Sequence, residues 1–540
     1  MAGELGKEFF MHDFNLKMIK VLLVIAVLAV VLSTIGGITL LKDNYYSKTR
    51  FFVMQWDYVK TKIAFAGYDY GSLSNWILNR KVQPASKIIP AEKTKFIPVL
   101  LYHGVIENPD WKNDGVNISL SDFRTQMFAL KTEGYQTITL TEFLGFMKGE
   151  KDLPEKSILI SFDDGRKDSY YVADPIFRAL DFNAVMFVIT GRSIGEANKK
   201  SVFHLTEDEL HKMIESGRWE AGSHTQNGHN LVKIDGNGTQ GHFLTDKLWV
   251  DSAGRLETEE EYAQRIKNDL LASKKDLENN LGVRALGFAY PFGDYGDSSQ
   301  NFPGSKNILI NEVNSIFPLS FRQAGESEFP GNYPGADFRL IKRLNVSSDM
   351  SKDQLLFLVN DDHEKTLPYK DTFSENRGWL TGWGNFELKN GLLLTRASAS
   401  EDSSLTFLNG TYTWTNYEMN ATARLIQGNA FAAVVRYTNG NNYASCDFST
   451  GGVSLSQRVN GIETTLSESP ESLQIIPNKD IAVKISVTGN NAVCYIEGRE
   501  AASGFLSPIL EHGGIGFKTW DNTINNSSLL ISNLMVNPLQ

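Results

Sequence analysis

The stretch Ser161-Phe162-Asp163-Asp164-Gly165 sets two adjacent carboxylates and a glycine directly after a short apolar run. The apolar run predicts a buried strand, and Gly165 permits a tight backbone turn at its end. Because a strand sends successive side chains to opposite faces, the two aspartates can do different work there. One could bind a cation while the other stays unligated and acts as a base. Taken alone, the same residues also fit a solvated turn.

Other segments place polar groups in the same way, each just after an apolar run. These groups are His103, the pair His224 and His229, and the turn Pro291-Phe292-Gly293. Two imidazoles and one carboxylate, with positions left open to water, form a catalytic site for zinc or a similar divalent ion. We therefore predict Asp164 as a metal ligand together with the two histidines.

A bound ion of this kind permits hydrolysis, which also needs a base, an acid and donors for an oxyanion. We assign Asp163 as the base and His103 as the candidate acid. The Phe292 N–H is the candidate oxyanion donor, because the preceding proline has none. Cysteine catalysis is excluded, since Cys446 and Cys494 lie far along the chain, and no G-x-S-x-G elbow occurs.

The sequence pattern of residues 96–368 predicts the strands and helices that must position these candidate site residues. Strand-like and helix-like segments alternate there, and Thr258 with Glu261 begins a helix to about Asn279 with a capping box. Such alternation predicts an α/β fold with a parallel sheet, closed into a distorted β/α barrel. In a barrel, the carboxyl ends of all strands share one face, so the polar groups should meet in one cleft.

The flanking segments have different textures. After a tail at 1–20, the uncharged apolar run at 21–41 predicts a transmembrane anchor, and 42–95 predicts an interfacial helix or stalk, with an ordinary packed segment as the equal alternative. Residues 369–540 show short β-rich runs at regular spacing, which predict an antiparallel β-sandwich. The net charge of −10 argues against a nucleic-acid partner.

Within the sandwich, two features are open. Cys446 and Cys494 could form one bridge if this part is extracytoplasmic, but sequence does not show that they are close. Four tryptophans could form a sugar-stacking surface or belong to the core; they are Trp379, Trp383, Trp414 and Trp520. The polar insertion 230–257 could cover a cleft or be a floppy loop, and we expect His242 within it to be solvated rather than a metal ligand.

Three motifs resemble those of polysaccharide deacetylases, the NodB-homology or carbohydrate esterase family 4 enzymes. They are SFDDG at 161–165, EAGSHTQNGH at 220–229 and AYPFG at 289–293, and the resemblance covers about residues 96–350. It implies a distorted β/α barrel that hydrolyses N-acetyl groups on amino sugars. It also implies Asp163 as the base, with Asp164, His224 and His229 as ligands. The segment VKISVTGNNAVCYIEG with GGIGF resembles concanavalin-type jelly-roll domains.

The chain departs from the family pattern in three places. Ala289 stands where the third motif begins with arginine, and the two histidines are one residue farther apart than usual. No Leu-x-x-His motif follows, and Arg343-Leu344-Asn345-Val346 occupies the comparable place. The branch acting on poly-N-acetylglucosamine is similar in these departures and in a Tyr-His pair, here Tyr102-His103. That similarity favours an exopolysaccharide over peptidoglycan as substrate.

The hypothesis is thus a membrane-anchored, metal-dependent deacetylase of an N-acetylglucosamine polysaccharide, with both domains on the extracytoplasmic side. Zinc is the expected ion, with cobalt or nickel as alternatives. A second hypothesis is a glycan-binding or adhesion protein whose barrel has lost its activity, motivated by the missing arginine and histidine. A third is hydrolysis of a different C–N bond in a small molecule.

Overall fold

The computed structural model describes residues 50–70, 93–335, 338–360, 363–469 and 473–539. The chain divides into two compact units, each with its own core. The first unit takes the chain up to Gln323 together with Gly331–Asn360, and the second takes Ala324–Pro330 and Asp361–Gln540. The predicted membrane anchor at 21–41 lies outside the described residues. No helix of the described ranges is both long and apolar enough to cross a bilayer.

The first unit is built on a closed ring of parallel strands. Its strands are β1 (Ile97–Tyr102), β2 (Val105–Ile106), β3 (Ile118–Ser119), β4 (Gln136–Thr137), β5 (Ser157–Phe162), β6 (Ala184–Val188), β7 (Trp219–Ser223), β8 (Leu231–Lys233), β9 (Gln240–His242), β10 (Trp249–Val250), β11 (Arg255–Leu256), β12 (Gly287–Ala289), β13 (Leu319–Gln323), β14 (Gly331–Asn332) and β15 (Ile341–Asn345). Seven of them pair in parallel in the order β1-β15-β13-β12-β7-β6-β5, and β5 pairs back with β1. The predicted barrel is confirmed.

Helices follow most of the barrel strands. They are α1 (Arg50–Tyr70), α2 (Leu120–Thr132), α3 (Leu140–Met147), α4 (Lys167–Leu180), α5 (Thr190–Ser193), α6 (Glu207–Glu215), α7 (Glu259–Lys275), α8 (Ser305–Ile316) and α9 (Lys352–Asn360). Three of them, α3, α6 and α7, begin with a capping box, in which a threonine hydroxyl and a glutamate satisfy each other's backbone N–H groups. The predicted helix from Thr258 is α7, and it continues as a π-helical turn at Asp276–Asn280.

Every residue of β1, β5 and β6 is buried, because both faces of a barrel strand are covered. One set of alternate side chains, including Val99, Leu159 and Val185, packs in a cluster with α3. The other set, including Leu100 and Ile160, packs in a cluster with the surrounding helices. These two layers hold the strand ends, and therefore the site residues that follow them, in fixed positions.

Part of the predicted stalk is the helix α1, which packs against the barrel's outer layer. The Arg50 guanidinium donates to a carboxylate oxygen of Glu107 at 3.1 Å, and the guanidinium of Arg178 on α4 lies 4.3 Å from the centre of the Tyr58 ring. A packed segment, rather than a free stalk, describes residues 50–70.

The insertion 230–257 is folded, which makes the floppy-loop expectation wrong. Strands β8 and β9 form one hairpin, and β10 and β11 form another. Two residues of α7 hold the insertion: the Tyr262 hydroxyl donates to the Leu244 carbonyl at 2.6 Å, and Arg265 forms a bidentate pair with Glu257. Several turns of the insertion are thus fastened to the barrel's helical layer.

The second unit consists of two antiparallel sheets around a shared core. Its strands are β16 (Tyr369–Asp371), β17 (Trp379–Trp383), β18 (Asn385–Lys389), β19 (Leu392–Arg396), β20 (Ser403–Leu408), β21 (Tyr417–Gln427), β22 (Ala430–Asn439), β23 (Asn442–Ser449), β24 (Gly452–Val459), β25 (Ile462–Glu468), β26 (Ile481–Thr488), β27 (Asn491–Ile496), β28 (Arg499–Phe505), β29 (Gly514–Trp520) and β30 (Ser528–Pro538). One sheet has the order β18-β19-β30-β21-β26-β27-β28, with β16 beside β30, and the other has the order β17-β20-β29-β22-β23-β24-β25. The predicted antiparallel strands are therefore present.

A disulfide joins Cys446 on β23 to Cys494 on β27, so the bridge left open by the sequence links the two sheets. The sugar-stacking role is wrong for two of the four tryptophans. Trp379 and Trp414 are buried, and their indole N–H groups donate to Asp371 and to the Lys365 carbonyl. Amphipathic rings of this kind commonly anchor a core with a satisfied polar end.

Candidate active site

The two aspartates leave β5 at the carboxyl end of the barrel, as predicted. Asp163 is buried, whereas the Asp164 side chain is 15% exposed. Gly165 takes a positive φ of 69°, which provides the expected turn, but Asp164 also has a positive φ, of 72°. A left-handed conformation is unusual for a residue with a Cβ and costs of order 1 kcal/mol or more. This backbone directs the neighbouring carboxylates to different partners.

Asp163 is held by an arginine that the sequence analysis did not assign to the site. The Arg343 guanidinium, on β15, donates to both Asp163 oxygens at 2.6 and 2.8 Å, and both side chains are buried. Burial by itself would raise the pKa of Asp163. The charges of Arg343 and His224 and the two hydrogen bonds outweigh it and lower that pKa to about 2. Asp163 is therefore ionised at neutral pH.

The predicted metal ligands come together on the other side of this pair. The Asp164 Oδ1 lies 3.3 Å from the His229 Nε2 and 3.6 Å from the His224 Nε2. Ligand bonds near 2 Å at tetrahedral angles separate ligand atoms by about 3.3 Å. The three donor atoms all lie within 4.8 Å of one another, so one ion can reach them all.

The Asp164 Oδ1 is buried and has no hydrogen-bond partner among the described residues. A buried carboxylate oxygen left in this state is costly unless another group completes its surroundings, and a cation would do so. The donor set and this orphaned oxygen fit a divalent ion.

His224 is prepared as a ligand by its second ring nitrogen. Its Nδ1 lies 2.8 Å from the Ala289 carbonyl, so Nδ1 carries the proton that it donates and the lone pair of Nε2 faces Asp164. Burial lowers the pKa of His224 to about 4, against the opposing charge of Asp163. The imidazole is therefore neutral at pH 7, which is the form that binds a metal.

The loop from His224 to His229 is fastened from two sides. The Asp269 carboxylate, on α7, accepts from the backbone N–H groups of Gln226 at 3.1 Å and Asn227 at 2.7 Å. The Arg192 guanidinium donates to the His229 carbonyl at 3.0 Å. Thr225 has a φ of 73°, an outlier for a β-branched residue. The surrounding bonds hold this strained loop so that both imidazoles turn toward Asp164.

His103, the candidate acid, directly follows β1 and interacts electrostatically with the two carboxylates. Its Nδ1 is buried without a hydrogen-bond partner among the described residues. Burial lowers the pKa of His103, the charges of Asp163 and Asp164 oppose that shift, and Arg343 and Arg166 reinforce it. The structure thus places His103 within electrostatic reach of the predicted base.

Phe292, the candidate oxyanion donor, lies in the turn after β12. It has a φ of 60°, and its N–H makes no hydrogen bond within the described part of the chain. Its ring lies 4.3 Å from the His229 ring and 4.3 Å from the His242 ring, which stacks on it at 8°. His242, expected to be solvated rather than a ligand, is 31% exposed and packs beside the site, and it does not belong to the group of described residues that could hold an ion.

The sequence analysis missed two residues that support the site, Arg343 and Asp269, although each occupies a position in the sequence pattern that predicts burial. Arg343 lies two residues after Ile341 on β15, so the two side chains share one buried face. Once this strand is known, Arg343 can be recognised as a buried charge that needs a partner. Asp269 falls among the buried residues of α7, between Ile266 and Leu270, where an unpaired carboxylate would be costly. A buried charge indicates a functional role only when its partner is known. The partners here, Asp163 for Arg343 and the backbone of residues 226–227 for Asp269, are distant in sequence.

Residues 150–303 match the family model for polysaccharide deacetylase. A poly-beta-1,6-N-acetyl-D-glucosamine N-deacetylase of Staphylococcus aureus is 33% identical over 181 residues, which cover 34% of this chain and 55% of that protein. The enzyme of the same name from Escherichia coli K12 is 24% identical over 233 residues, covering 38% and 35%. The matches thus span between about a third and about half of these relatives.

A de-N-acetylase structure from Aggregatibacter actinomycetemcomitans aligns with 49% of this chain and 99% of its own, with 23% identity and a TM-score of 0.42. The family match includes both aspartates, both histidines and Phe292, whereas His103 and Arg343 lie outside it. The central part of the chain, with the residues that meet at the carboxyl end of the barrel, is similar in sequence to polysaccharide deacetylases.

Proposed function

We propose that this protein is a metal-dependent hydrolase that removes N-acetyl groups from a polysaccharide of N-acetylglucosamine units. The observation that carries the proposal is the buried Asp164 Oδ1, which faces two imidazole nitrogens and has no hydrogen-bond partner among the described residues. The activity of the Staphylococcus aureus and Escherichia coli relatives supports a β-1,6-linked polymer as the first candidate substrate.

Asp164, His224 and His229 would hold the ion. Zinc is the first candidate for two nitrogens and one oxygen, with cobalt or nickel as alternatives. When bound, such an ion polarises the amide carbonyl and lowers the pKa of a bound water toward about 7. The neutral state of His224 at pH 7 and its fixed Nδ1 proton suit this ligand role.

The chain's own residues supply the proton transfers and the oxyanion contact. Asp163 accepts the proton of the attacking water, and Arg343 keeps this carboxylate ionised and fixed in orientation. Because the guanidinium occupies both oxygens in one plane, Asp163 has little rotational freedom. The Phe292 N–H donates to the oxygen of the amide carbonyl as negative charge develops on it.

His103 would pass a proton to the leaving amine. Its lowered pKa means that the imidazole is mostly neutral at pH 7, so it does not begin the reaction as a charged acid. A neutral imidazole fits a relay that receives the proton first accepted by Asp163 and then delivers it to the amine nitrogen.

The proposal also includes an extracytoplasmic location and a membrane anchor at 21–41. The disulfide between Cys446 and Cys494 supports the location, because such bridges persist in oxidising compartments. A polymer outside the cell would be within reach of an anchored barrel.

The alternative of an inactive glycan-binding barrel rested on the missing arginine of the third motif and the absent late histidine. Arg343 supplies a guanidinium to Asp163 from a different strand, which removes the first motive. His103 is a candidate for the second role. We therefore favour the hydrolase.

The test is acetate release by the full chain, loaded with zinc, from β-1,6- and β-1,4-linked N-acetylglucosamine oligomers. Asp163→Asn should lower the rate by roughly 100-fold or more, since it removes the base. Asp480→Asn is the matched control, because Asp480 also pairs with an arginine through both oxygens but is exposed. Oligomer binding without acetate release under zinc, cobalt or nickel would refute the hydrolase and favour the binding protein.

A further inference from the structure

The insertion 230–257 carries a histidine that is hydrogen-bonded to an aspartate of the active-site turn. The His242 Nδ1 lies 2.7 Å from the Asp294 Oδ2, and the Thr245 hydroxyl donates to the same oxygen at 2.8 Å. The other oxygen, Oδ1, accepts from the Gly296 N–H at 2.9 Å. Asp294 is buried and follows Phe292 by two residues, so this pair ties the insertion to the turn after β12.

The backbone of His242 is fixed independently of its ring. Its N–H donates at 2.8 Å to Asp246, a buried carboxylate of the same insertion. The other Asp246 oxygen accepts from the Gln300 N–H at 2.6 Å and the Ser299 hydroxyl at 3.0 Å. Because backbone and side chain are both held, His242 presents a rigid face rather than a mobile one.

That face lies against Phe292. The two rings are stacked at 8° with centres 4.3 Å apart, and the Phe292 ring lies 4.3 Å from the His229 ring at 44°. Phe292 is therefore in contact with two imidazoles, one from the insertion and one from the metal-binding set. Phe292 is also 41% exposed, so burial alone does not hold it in place.

The conformation of Phe292 needs such support. Its φ of 60° is costly for a bulky residue and persists only where the surroundings determine it. A relaxed turn would move both the Phe292 N–H, which no described residue accepts from, and the ring that borders His229. The hydrogen bond between His242 and Asp294, together with the stacking of His242 on Phe292, opposes this relaxation.

Resting on the function proposed above, we infer that His242 and Asp294 are positioning residues for the reaction. They brace the strained turn at Phe292, so that its N–H keeps its position as the candidate oxyanion donor and its ring limits the motion of the proposed ligand His229. The insertion is then a buttress for the oxyanion donor and the metal site, not a cover over the substrate.

The test uses the full chain with three variants, His242→Ala, His242→Phe and Asp294→Asn. Zinc affinity is measured by competition with a chromophoric chelator, and kcat and KM are measured by acetate release. For His242→Ala we expect zinc to bind about tenfold more weakly and kcat to fall about tenfold, the range typical for partners of metal ligands. KM should change little, because the oxyanion contact strengthens only as charge develops.

His242→Phe keeps the stacking surface but loses the bond to Asp294, so its effects should be smaller than those of His242→Ala. The control is Asp251→Asn, which breaks the exposed pair of Asp251 with Lys233 in the same insertion and should leave zinc affinity and kcat unchanged. Thermal unfolding of each variant identifies any that does not fold. If His242→Ala does not fold, the same comparison is made with His242→Phe and Asp294→Asn.

Unchanged zinc affinity and kcat in folded His242→Ala would overturn the inference and leave the proposed hydrolase intact. Weaker zinc binding in that variant, together with no acetate release from the unaltered chain, would support the positioning role and overturn the deacetylase. An unaltered chain that binds no zinc, cobalt or nickel would overturn both.

Discussion

Two arginine–aspartate pairs with nearly the same geometry lie in different surroundings in the two units. In the barrel, Arg343 donates to both oxygens of Asp163 at 2.6 and 2.8 Å, and the side chains are 0% and 2% exposed. In the sandwich, Arg424 donates to both oxygens of Asp480 at 2.7 Å each, and the side chains are 42% and 55% exposed. Bond lengths alone would rank the pairs as equals.

Burial separates the two pairs. Removing one partner of a buried pair leaves an uncompensated charge that water cannot reach, whereas an exposed partner is simply solvated again. The barrel pair therefore keeps Asp163 ionised beside the predicted metal ligands. The sandwich pair is a surface contact with little influence on the rest of the unit.

A third carboxylate, Asp447 on β23, extends this comparison because it is partly buried and has no guanidinium partner among the described residues. Burial raises the pKa of Asp447 to about 6, although hydrogen bonds from Ser456 and Ser445 and the charge of Lys518 oppose the shift. The same type of side chain thus has its pKa moved in opposite directions in the two units. The presence of a paired cation decides the direction.

The largest effect is expected for Arg343→Met, a change that keeps much of the side-chain volume and removes the charge. The free energy of unfolding of the barrel should fall by about 3–5 kcal/mol, because Asp163 is left buried and unpaired. Denaturant unfolding followed by circular dichroism measures the change. Arg424→Met is the matched variant and should leave the unfolding midpoint of the sandwich unchanged.

The double variant Arg343→Met with Asp163→Asn tests the same reasoning from the other side. It removes the uncompensated charge, so part of the stability lost in Arg343→Met should return, while acetate release stays roughly 100-fold or more below that of the unaltered chain. A double variant that is no more stable than Arg343→Met would show that the arginine acts through packing, for example through its position 5.3 Å from the Phe187 ring centre.

The sandwich should respond most to loss of its covalent link. Replacing Cys446 and Cys494 together by alanine should lower the free energy of unfolding of the sandwich by about 2–4 kcal/mol, given the 48-residue separation that the bridge closes. Calorimetry of the full chain measures this. Zinc affinity should not change, because the proposed ligands belong to the barrel. A loss of zinc binding would show that the disulfide of the sandwich and the proposed zinc site of the barrel are not independent.

A smaller, pH-dependent effect is expected from Asp447. Its folded pKa of about 6 lies above its ordinary value of 3.8, so the native sandwich binds a proton more readily than the unfolded chain between these values. Stability should therefore fall as pH rises from about 4 to about 6, by at most about 3 kcal/mol, and then stay constant with respect to this group. The midpoint of denaturant unfolding, measured across this range, reports the change.

Asp447→Asn supplies the comparison for that pH dependence. The amide cannot ionise, so the slope between pH 4 and 6 should be shallower and the sandwich more stable at pH 7 than in the unaltered chain. An identical slope in both proteins would assign the pH dependence to other groups.

Much of the candidate site was predictable because its motifs are local. The turn at Gly165, the ligand trio of Asp164, His224 and His229, and the turn at Phe292 each lie within a few residues of a strand end. The short-range pattern of apolar runs, capping boxes and glycine was therefore enough to predict the positions of these motifs. What the pattern did not contain was the support around these groups.

That support depends on pairs that are distant in sequence. Arg343 and Asp163 are 180 positions apart, and His242 and Asp294 are 52 apart. Each pair forms only because ring closure and the folded insertion bring separate segments to one edge of the barrel. Contacts between segments that are distant in sequence also bury Trp379 and Trp414 and place Ala324–Pro330 in the second unit.

By itself, the amino-acid sequence determined the alternation that builds a barrel, the β-rich second part, and the residue types that can bind an ion and move a proton. Only the tertiary structure decided which arginine holds Asp163 and which histidine braces Phe292. It also decided that the two cysteines meet. Local patterns record the conformation of neighbouring residues, whereas the charge state and orientation of a buried group are set by whichever distant side chain the fold packs against it.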